Sequence, residues 1–229
     1  MKIFTVSEIR TGKVKPLGPK AVPSGIDKHA VPGPIRAEAD GLIGDEQGDR
    51  RHHGGPDKAI HAYPTAHYTD WAADLPDRAS LFHPGGFGEN FVIPDATEAD
   101  ICLGDLWRYG DVLLEVSQGR QPCWRLNLRF DRPDIAWLVQ KTGRTGWYFR
   151  VLEPGEIHPG GQARLEARPN ADWSLDRVSN LLYRDRMDME ALTELAALPG
   201  LPESWRRLAE RRIASGQTED WSRRIKTPD

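Results

Sequence analysis

The chain has 229 residues, 28% of them charged, with Lys+Arg 31 against Asp+Glu 34 and a formal net charge of −3. That length sustains a full core without disulfide staples, and the mixed signs exclude the global positive field that nucleic-acid binding draws on. No apolar run approaches the roughly 20 residues of a membrane span. The stretch Met1-Lys2-Ile3-Phe4-Thr5-Val6 has no signal-peptide apolar core, so a soluble, cytoplasmic protein is expected. Two cysteines, Cys102 and Cys123, are too few for a disulfide framework, and reduced thiols are expected.

From Lys2 to about Arg168 the chain is a series of short β-prone runs punctuated by Gly and Pro, the pattern of a β-barrel or sandwich. The first strands are expected at Ile3 to Val14, Ile35 to Ala39 and Asn90 to Ile93, with Pro16 to Pro34 as a long loop. Between them Pro64 to Leu75 reads as a helix that opens on Pro64 and carries His67, Tyr68, Trp71 and Leu75 on one face. Leu106 to Arg108 and Val112 to Val116 form a hairpin about Tyr109-Gly110-Asp111. A second helix spans Pro133 to Thr142, with Asp131 near its N-cap, Ile135, Leu138 and Val139 inward and Gly143 as its stop. Gly146 to Val151 resumes strand, Pro154-Gly155 turns, and Arg164 to Arg168 closes the sheet. Three amphipathic helices follow, about Ser174 to Tyr183, Asp188 to Leu198 and Pro202 to Ser215, whose apolar faces can pack together. The arginines of the tail, Arg223 and Arg224 included, alternate with acids and read as a solvated face.

Three segments can carry chemistry. The loop Ser117 to Cys123 places a thiol just past a strand end, with Arg120 and Arg125 supplying positive charge and Pro122 fixing the backbone before it. Those neighbours favour a thiolate, for a nucleophile or a metal ligand, while a small buried hydrophobe is the plainer reading of a lone Cys. Arg50-Arg51-His52-His53-Gly54-Gly55-Pro56-Asp57-Lys58-Ala59 combines two glycines, which permit close backbone approach, with His, Arg and Lys donors, and suits an anion. A zinc site of His52, His53, His61 and His67 matches no standard ligand spacing. The third segment, Gly85-Gly86-Phe87-Gly88-Glu89-Asn90-Phe91, has neither phosphate-loop spacing, and its Glu89 and Asn90 could bond the edge of a heterocycle.

Together, His53-Gly54-Gly55 with Lys58-Ala59, then Gly88-Glu89-Asn90, then Arg120 with Pro122-Cys123 resemble in order and spacing the signature of MOSC domains, the molybdenum-cofactor sulfurase C-terminal family. Gly44-Asp45-Glu46-Gln47, Tyr63-Pro64 with His67-Tyr68, Gly104-Asp105, Leu126-Asn127, Thr142-Gly143 with Gly146-Trp147, and Trp221-Ser222-Arg223-Arg224 extend the likeness over nearly the whole chain. Within the family the chain is most similar to the YiiM-type subgroup, which implies a mainly β (α+β) fold: a MOSC-type β-barrel over residues 1–169 and a small three-helix domain over 170–229. The resemblance further implies a molybdopterin-based molybdenum cofactor with Cys123 as its thiolate ligand. His53, Gly54, Gly55, Lys58, Arg120 and Arg125 would hold the anionic phosphate and pterin, with Glu89 and Asn90 at the cofactor or substrate edge. Gly119 stands where the subgroup commonly has Pro, and Arg125 where it often has Lys.

The implied activity is a detoxifying reduction of N-hydroxylated compounds, hydroxylaminopurine-like bases and amidoximes, to amines. Electrons would come from a separate flavoprotein-type donor, since the chain has no flavin or nicotinamide fingerprint. No nucleic-acid polymer or membrane is an expected partner, and a homo-oligomer is compatible with the reading. The alternatives are a sulfur carrier with a persulfide on Cys123, or a protein that binds or stores the cofactor.

Overall fold

Prolines and glycines cut the β-prone runs into short strands. The computed structural model describes residues 2–49 and 53–228, so Arg50, Arg51 and His52 of the His/Gly segment lie outside the described residues. The strands are β1 Ile3–Thr5, β2 Glu8–Thr11, β3 Lys15–Leu17, β4 Val22–Ser24, β5 His29–Ala30, β6 Ile35–Glu38, β7 Gly41–Leu42, β8 Ile60–Pro64, β9 Phe91–Ile93, β10 Leu106–Tyr109, β11 Val112–Gly119, β12 Trp147–Glu153, β13 Gly155–Ile157 and β14 Gln162–Ala167. The helices are α1 Ala66–Asp74, α2 Arg125–Arg129, α3 Ile135–Thr142, α4 Leu175–Tyr183, α5 Met189–Ala197, α6 Glu203–Ser215 and α7 Ser222–Ile225. None of the described helices is long and apolar enough to cross a membrane.

Among the described residues, nine strands form one curled sheet in the order β1-β14-β10-β11-β12-β8-β9-β2-β5, antiparallel except where β8 runs parallel to β9. The chain itself closes the curl. Val6 N donates to Gly161 O at 2.9 Å beside β14, and Ser7 N donates to Val92 O at 3.0 Å in β9, so the step from β1 to β2 bridges the two sides of the ladder. The expected single strand Ile3 to Val14 is therefore split. The segment Pro16 to Pro34, expected as a loop, contains the β3–β4 hairpin and β5. Pro16 faces Pro23 there, between the pairs Lys15 with Ser24 and Leu17 with Val22. An alternating ladder leaves such a pair without bonds to its partner, so neither missing N–H is felt.

The hairpin Leu106 to Val116 forms as expected, with Tyr109 opposite Val112 across Gly110-Asp111. β11 runs on to Gly119, and its register against β12 slips between Val116 and Gln118, a bulge that bends the strand as it approaches Cys123. Pro64 ends β8 instead of opening a helix, while α1 buries the expected face, His67, Tyr68 and Trp71. Gly143 stops α3 with φ 80°, but Asp134 and not Asp131 precedes it; Asp131 is itself left-handed at φ 48°.

The apolar core is continuous. Phe4, Trp107, Phe149 and Phe91 fill the barrel, and the same cluster runs through Trp173, Leu175 and Val178 to Leu192, Leu195 and Trp205 of the helices. A second cluster stacks Tyr63 on Phe87, ring centroids 4.3 Å apart, with Trp71, Phe82 and Phe130 around them. The tail is a solvated face only in part: Arg207, Arg211 and Arg223 are exposed with Glu203, Glu210 and Asp220, but other arginines are not. Arg212 is fully buried, bonding the carbonyls of Leu182 and Arg186 and the carboxylate of Glu219, and Arg224 packs over the Trp221 ring at 4.5 Å.

Candidate functional site

The strand ladder and the tail place Cys123 on the wall of a cleft lined by Ile26, Lys28, Asp45, His53, Lys58, Phe87, Asn90, Arg120, Arg125 and Tyr148 among others. A second cleft shares His53, Lys58, Cys123 and Arg125 with the first and is also lined by Gln121, Trp124, Ser204, Arg223 and Arg224. Both cysteines are free, as expected.

Cys123 follows β11 by four residues and leads straight into α2, so its backbone is held between a strand end and a helix start. Its Sγ lies 3.6 Å from His53 Nε2, which is also 3.5 Å from Arg125 Nη1. Burial, and then the charges of Arg125, Arg120 and Lys58, push the imidazole down to about 3, so His53 is neutral at physiological pH. Burial likewise lowers the Lys58 ammonium, against the pull of Asp57, Cys123 and Asp49.

Arg120 leaves the sheet as β11 ends, its N–H donating to Gly146 O at 3.0 Å. Gly146 sits at φ 66°, and a Cβ there would lie 2.2 Å from Ala62 O, so only glycine lets this turn meet β8. The Arg120 guanidinium donates to Phe87 O at 2.9 Å and reaches the Tyr148 hydroxyl. Among the described residues no carboxylate pairs with it, which leaves its charge facing the cleft. Arg125 holds Asp49 at 3.4 Å, and its Nε is buried with no hydrogen-bond partner among the described residues.

The other sequence candidates divide. Asn90 lines the cleft, but its amide is committed: Oδ1 accepts from His61 N at 3.0 Å, and Nδ2 donates to Arg10 O at 3.1 Å and Asp45 Oδ2 at 2.9 Å. Glu89 does not face the cleft. It is fully buried and accepts from Gly85 N, Phe87 N and the Tyr68 hydroxyl, so it ties down its own glycine-rich loop. Gly54 and Gly55 lead into the turn Pro56–Lys58 without lining the cleft; Gly55 has φ 93° with open space where a Cβ would stand, so its requirement is conformational.

Sequence reasoning missed Lys28 and the role of Asp45, a buried ion pair on the cleft wall. Desolvation lowers Lys28 even beside Asp45. Lys28 lies in the stretch expected as a loop and Asp45 17 residues on, past the expected strand Ile35 to Ala39, and a charge inside a Gly/Pro stretch gives no hint of burial.

The donors suit a pre-chelated, anionic cofactor better than a bare ion. Among the described residues no three His, Cys, Asp or Glu side chains gather as a metal cage. One thiol meets a neutral imidazole among cations, beside an arginine whose Nε lacks an acceptor among the described residues. A soft thiolate completes a site whose remaining ligands arrive with the metal, and guanidinium groups suit a phosphate.

A MOSC domain model matches residues 49–164, and a model of the YiiM-like, 3-alpha helix domain matches residues 173–216. Protein YiiM of Escherichia coli (strain K12) is 38% identical over 218 residues, 95% of this chain and 96% of that one. A protein named reductase from Gibberella moniliformis is 37% identical over 195 residues, 84% of this chain but 34% of that longer protein. The crystal structure of YiiM from Escherichia coli matches with a TM-score of 0.81 and 35% identity, covering 94% of this chain and 100% of that one. That of YiiM from Geobacillus stearothermophilus matches at 0.78 and 34%, covering 92% and 99%. The chain belongs to the MOSC family, in the YiiM-like group that carries the three-helix domain.

Proposed function

We propose that this protein is a molybdenum-cofactor-dependent oxidoreductase that reduces N-hydroxylated compounds, hydroxylaminopurine-like bases and amidoximes, to amines. A separate flavoprotein-type reductase supplies the electrons. The observation that carries the reading is the Cys123 thiol, 3.6 Å from a neutral His53 and flanked by Arg120 and Arg125 on one cleft wall. The relative named as a reductase supports the class of reaction.

When bound, the cofactor supplies a two-electron centre able to take the oxygen of an N–OH group, which with two protons becomes N–H and water. Cys123 would hold the metal through its sulfur, a soft ligand suited to such a metal. Arg120, Arg125 and Lys58 would clamp the anionic part of the cofactor, with Arg120 held in aim by Phe87 O. His53, neutral in this setting, can exchange a hydrogen bond at Nε2 without adding charge beside the thiolate. Lys28, Asp45 and Asn90 share one wall, where Asp45 accepts from both Lys28 and Asn90.

Protein from a cofactor-competent host tests this. The wild type is expected to hold stoichiometric molybdenum and to consume a chemical reductant with a hydroxylamine or amidoxime substrate, and Cys123→Ser to lose both. Full molybdenum and turnover in Cys123→Ser would sink the ligand assignment. A labile persulfide on Cys123, without molybdenum, would favour sulfur transfer.

A further inference from the structure

The loop that presents Cys123 has no ladder of its own. Strand pairing ends at Gly119, residues 120–123 belong to no strand or helix, and Pro122 has no N–H to give. The bonds on either side of the thiol instead come from one residue about a hundred positions away. Arg224 Nη1 donates to Pro122 O, and Arg224 O accepts from Trp124 N at 2.8 Å. Cys123 is thus bracketed by the side chain and the backbone of the same arginine.

That arginine is itself fixed. Its second Nη donates to Gln140 Oε1 in α3, and its guanidinium lies over Trp221, whose ring meets Tyr183 edge-on at 6.1 Å. One step along, Asn127 of α2 donates to Ile225 O at 2.9 Å and Thr227 Oγ1 at 3.2 Å, and accepts from Ala136 N at 2.9 Å. The segment 221–227 is therefore joined to the Cys loop, to α2 and to α3 together.

We infer that Arg224 is a positioning residue for Cys123: the carboxy-terminal segment, through Arg224, sets the conformation in which the thiol faces the cleft. The inference rests on the reading of Cys123 as the metal ligand for its effect on turnover, but not for its effect on the loop. A planar fork reaching two acceptors fixed on different elements needs arginine; lysine offers a charge without that geometry.

The test is Arg224→Ala in the full chain, with Arg224→Lys and the exposed Lys226→Ala beside it. In Arg224→Ala, amide exchange over residues 120–128 is expected to speed up about tenfold or more, while peptides of β11 and β12 exchange as in the wild type. Molybdenum content should fall, and the metal that remains should turn over with lowered kcat and little change in KM. Added guanidinium ion should restore part of the loss, Arg224→Lys should recover less than half, and Lys226→Ala should match the wild type. If Arg224→Ala does not fold, Gln140→Leu removes one anchor of the same guanidinium and should shift exchange in the same segment in the same direction. Unchanged exchange over 120–128 in a folded variant overturns the inference. Cys123→Ser separates the two readings: it should lose metal with the segment's exchange unaltered, and metal retained there would defeat the ligand assignment while leaving the exchange result standing.

Discussion

The residues that matter at the cleft differ in how far their partners lie along the chain. Cys123, Arg120 and Pro122 sit within four positions, so the chemistry of their loop could be read from sequence, and His53 joined them through the spacing of the family signature. Lys28 and Asp45 could not be found that way. Their pairing exists only because the segment between β4 and β5 and the turn after β7 fold onto the same wall, where both side chains are almost fully enclosed. Glu89 shows the opposite error: a carboxylate beside a glycine-rich motif invites a ligand role, yet its oxygens are used by its own loop. The ion pair yields a prediction. Removing one partner of a buried pair strands the other charge, so Lys28→Met should lower the unfolding free energy by about 3–5 kcal/mol. Among the described residues Asp45 would keep Gly12 N and Asn90 Nδ2 as partners outside the pair. The double variant Lys28→Met with Asp45→Leu should be less destabilised than the sum of the single variants, because each single change contains the cost of the stranded charge. Urea denaturation of the four proteins measures the coupling, and simple additivity would refute it.

At the scale of elements, what was legible followed local pattern. The β10–β11 hairpin, the inward face of α1 and the glycine stop of α3 appeared where periodicity and turn chemistry put them. The β3–β4 hairpin was hidden by prolines that a lone ribbon tolerates, and α2 by its five-residue length, too short to show a helical period. Tertiary bonds also set the loop before β12, which no local signal announces. Glu98 accepts from Thr145 N at 2.9 Å and Gly146 N at 2.6 Å, and its other oxygen is 2.7 Å from His67 Nε2 on α1. Gly146 O in turn receives Arg120 N, so α1, the loop and the Arg120 end of β11 are connected through one buried carboxylate. Glu98→Ala takes the carboxylate from Gly146 N and His67 Nε2, while Thr145 N keeps Gly143 O at 2.8 Å, and should cost roughly 2–5 kcal/mol. Glu98→Gln keeps an acceptor and should recover more than half of that. Chemical denaturation of both variants tests the ranking, and an Ala variant no weaker than Gln would contradict it.

For the whole molecule, the boundary between barrel and helices is a matter of sequence pattern more than of packing. The apolar cluster crosses it without a break, Cys102 bridges to Ser174 beside α4, and the tail returns to the Cys123 loop. Arg212 and Glu219 hold that return in place. The fully buried guanidinium uses Nε and both Nη groups on Glu219 and on the carbonyls of Leu182 and Arg186. Burial alone would raise the Glu219 carboxyl; the bonds from Arg212 and the backbone override it and hold the group below its ordinary value of 4.5. A carboxyl depressed by folding contributes stability that is full above 4.5 and is lost as the pH falls through the lower folded value. Glu219→Gln should therefore be less stable than the wild type at neutral pH, by about 1–2 kcal/mol for a charge-assisted bond reduced to a neutral one. The gap should close in acid below 4.5, as the wild-type carboxyl takes up its proton. Because Glu219 anchors the turn that precedes Trp221 and Arg224, the same variant should also speed amide exchange in the segment 221–227 at neutral pH. Denaturation curves at neutral and acid pH, with exchange measured on the same samples, decide it: a stability gap that persists unchanged in acid would show that the pair is not the source of the effect.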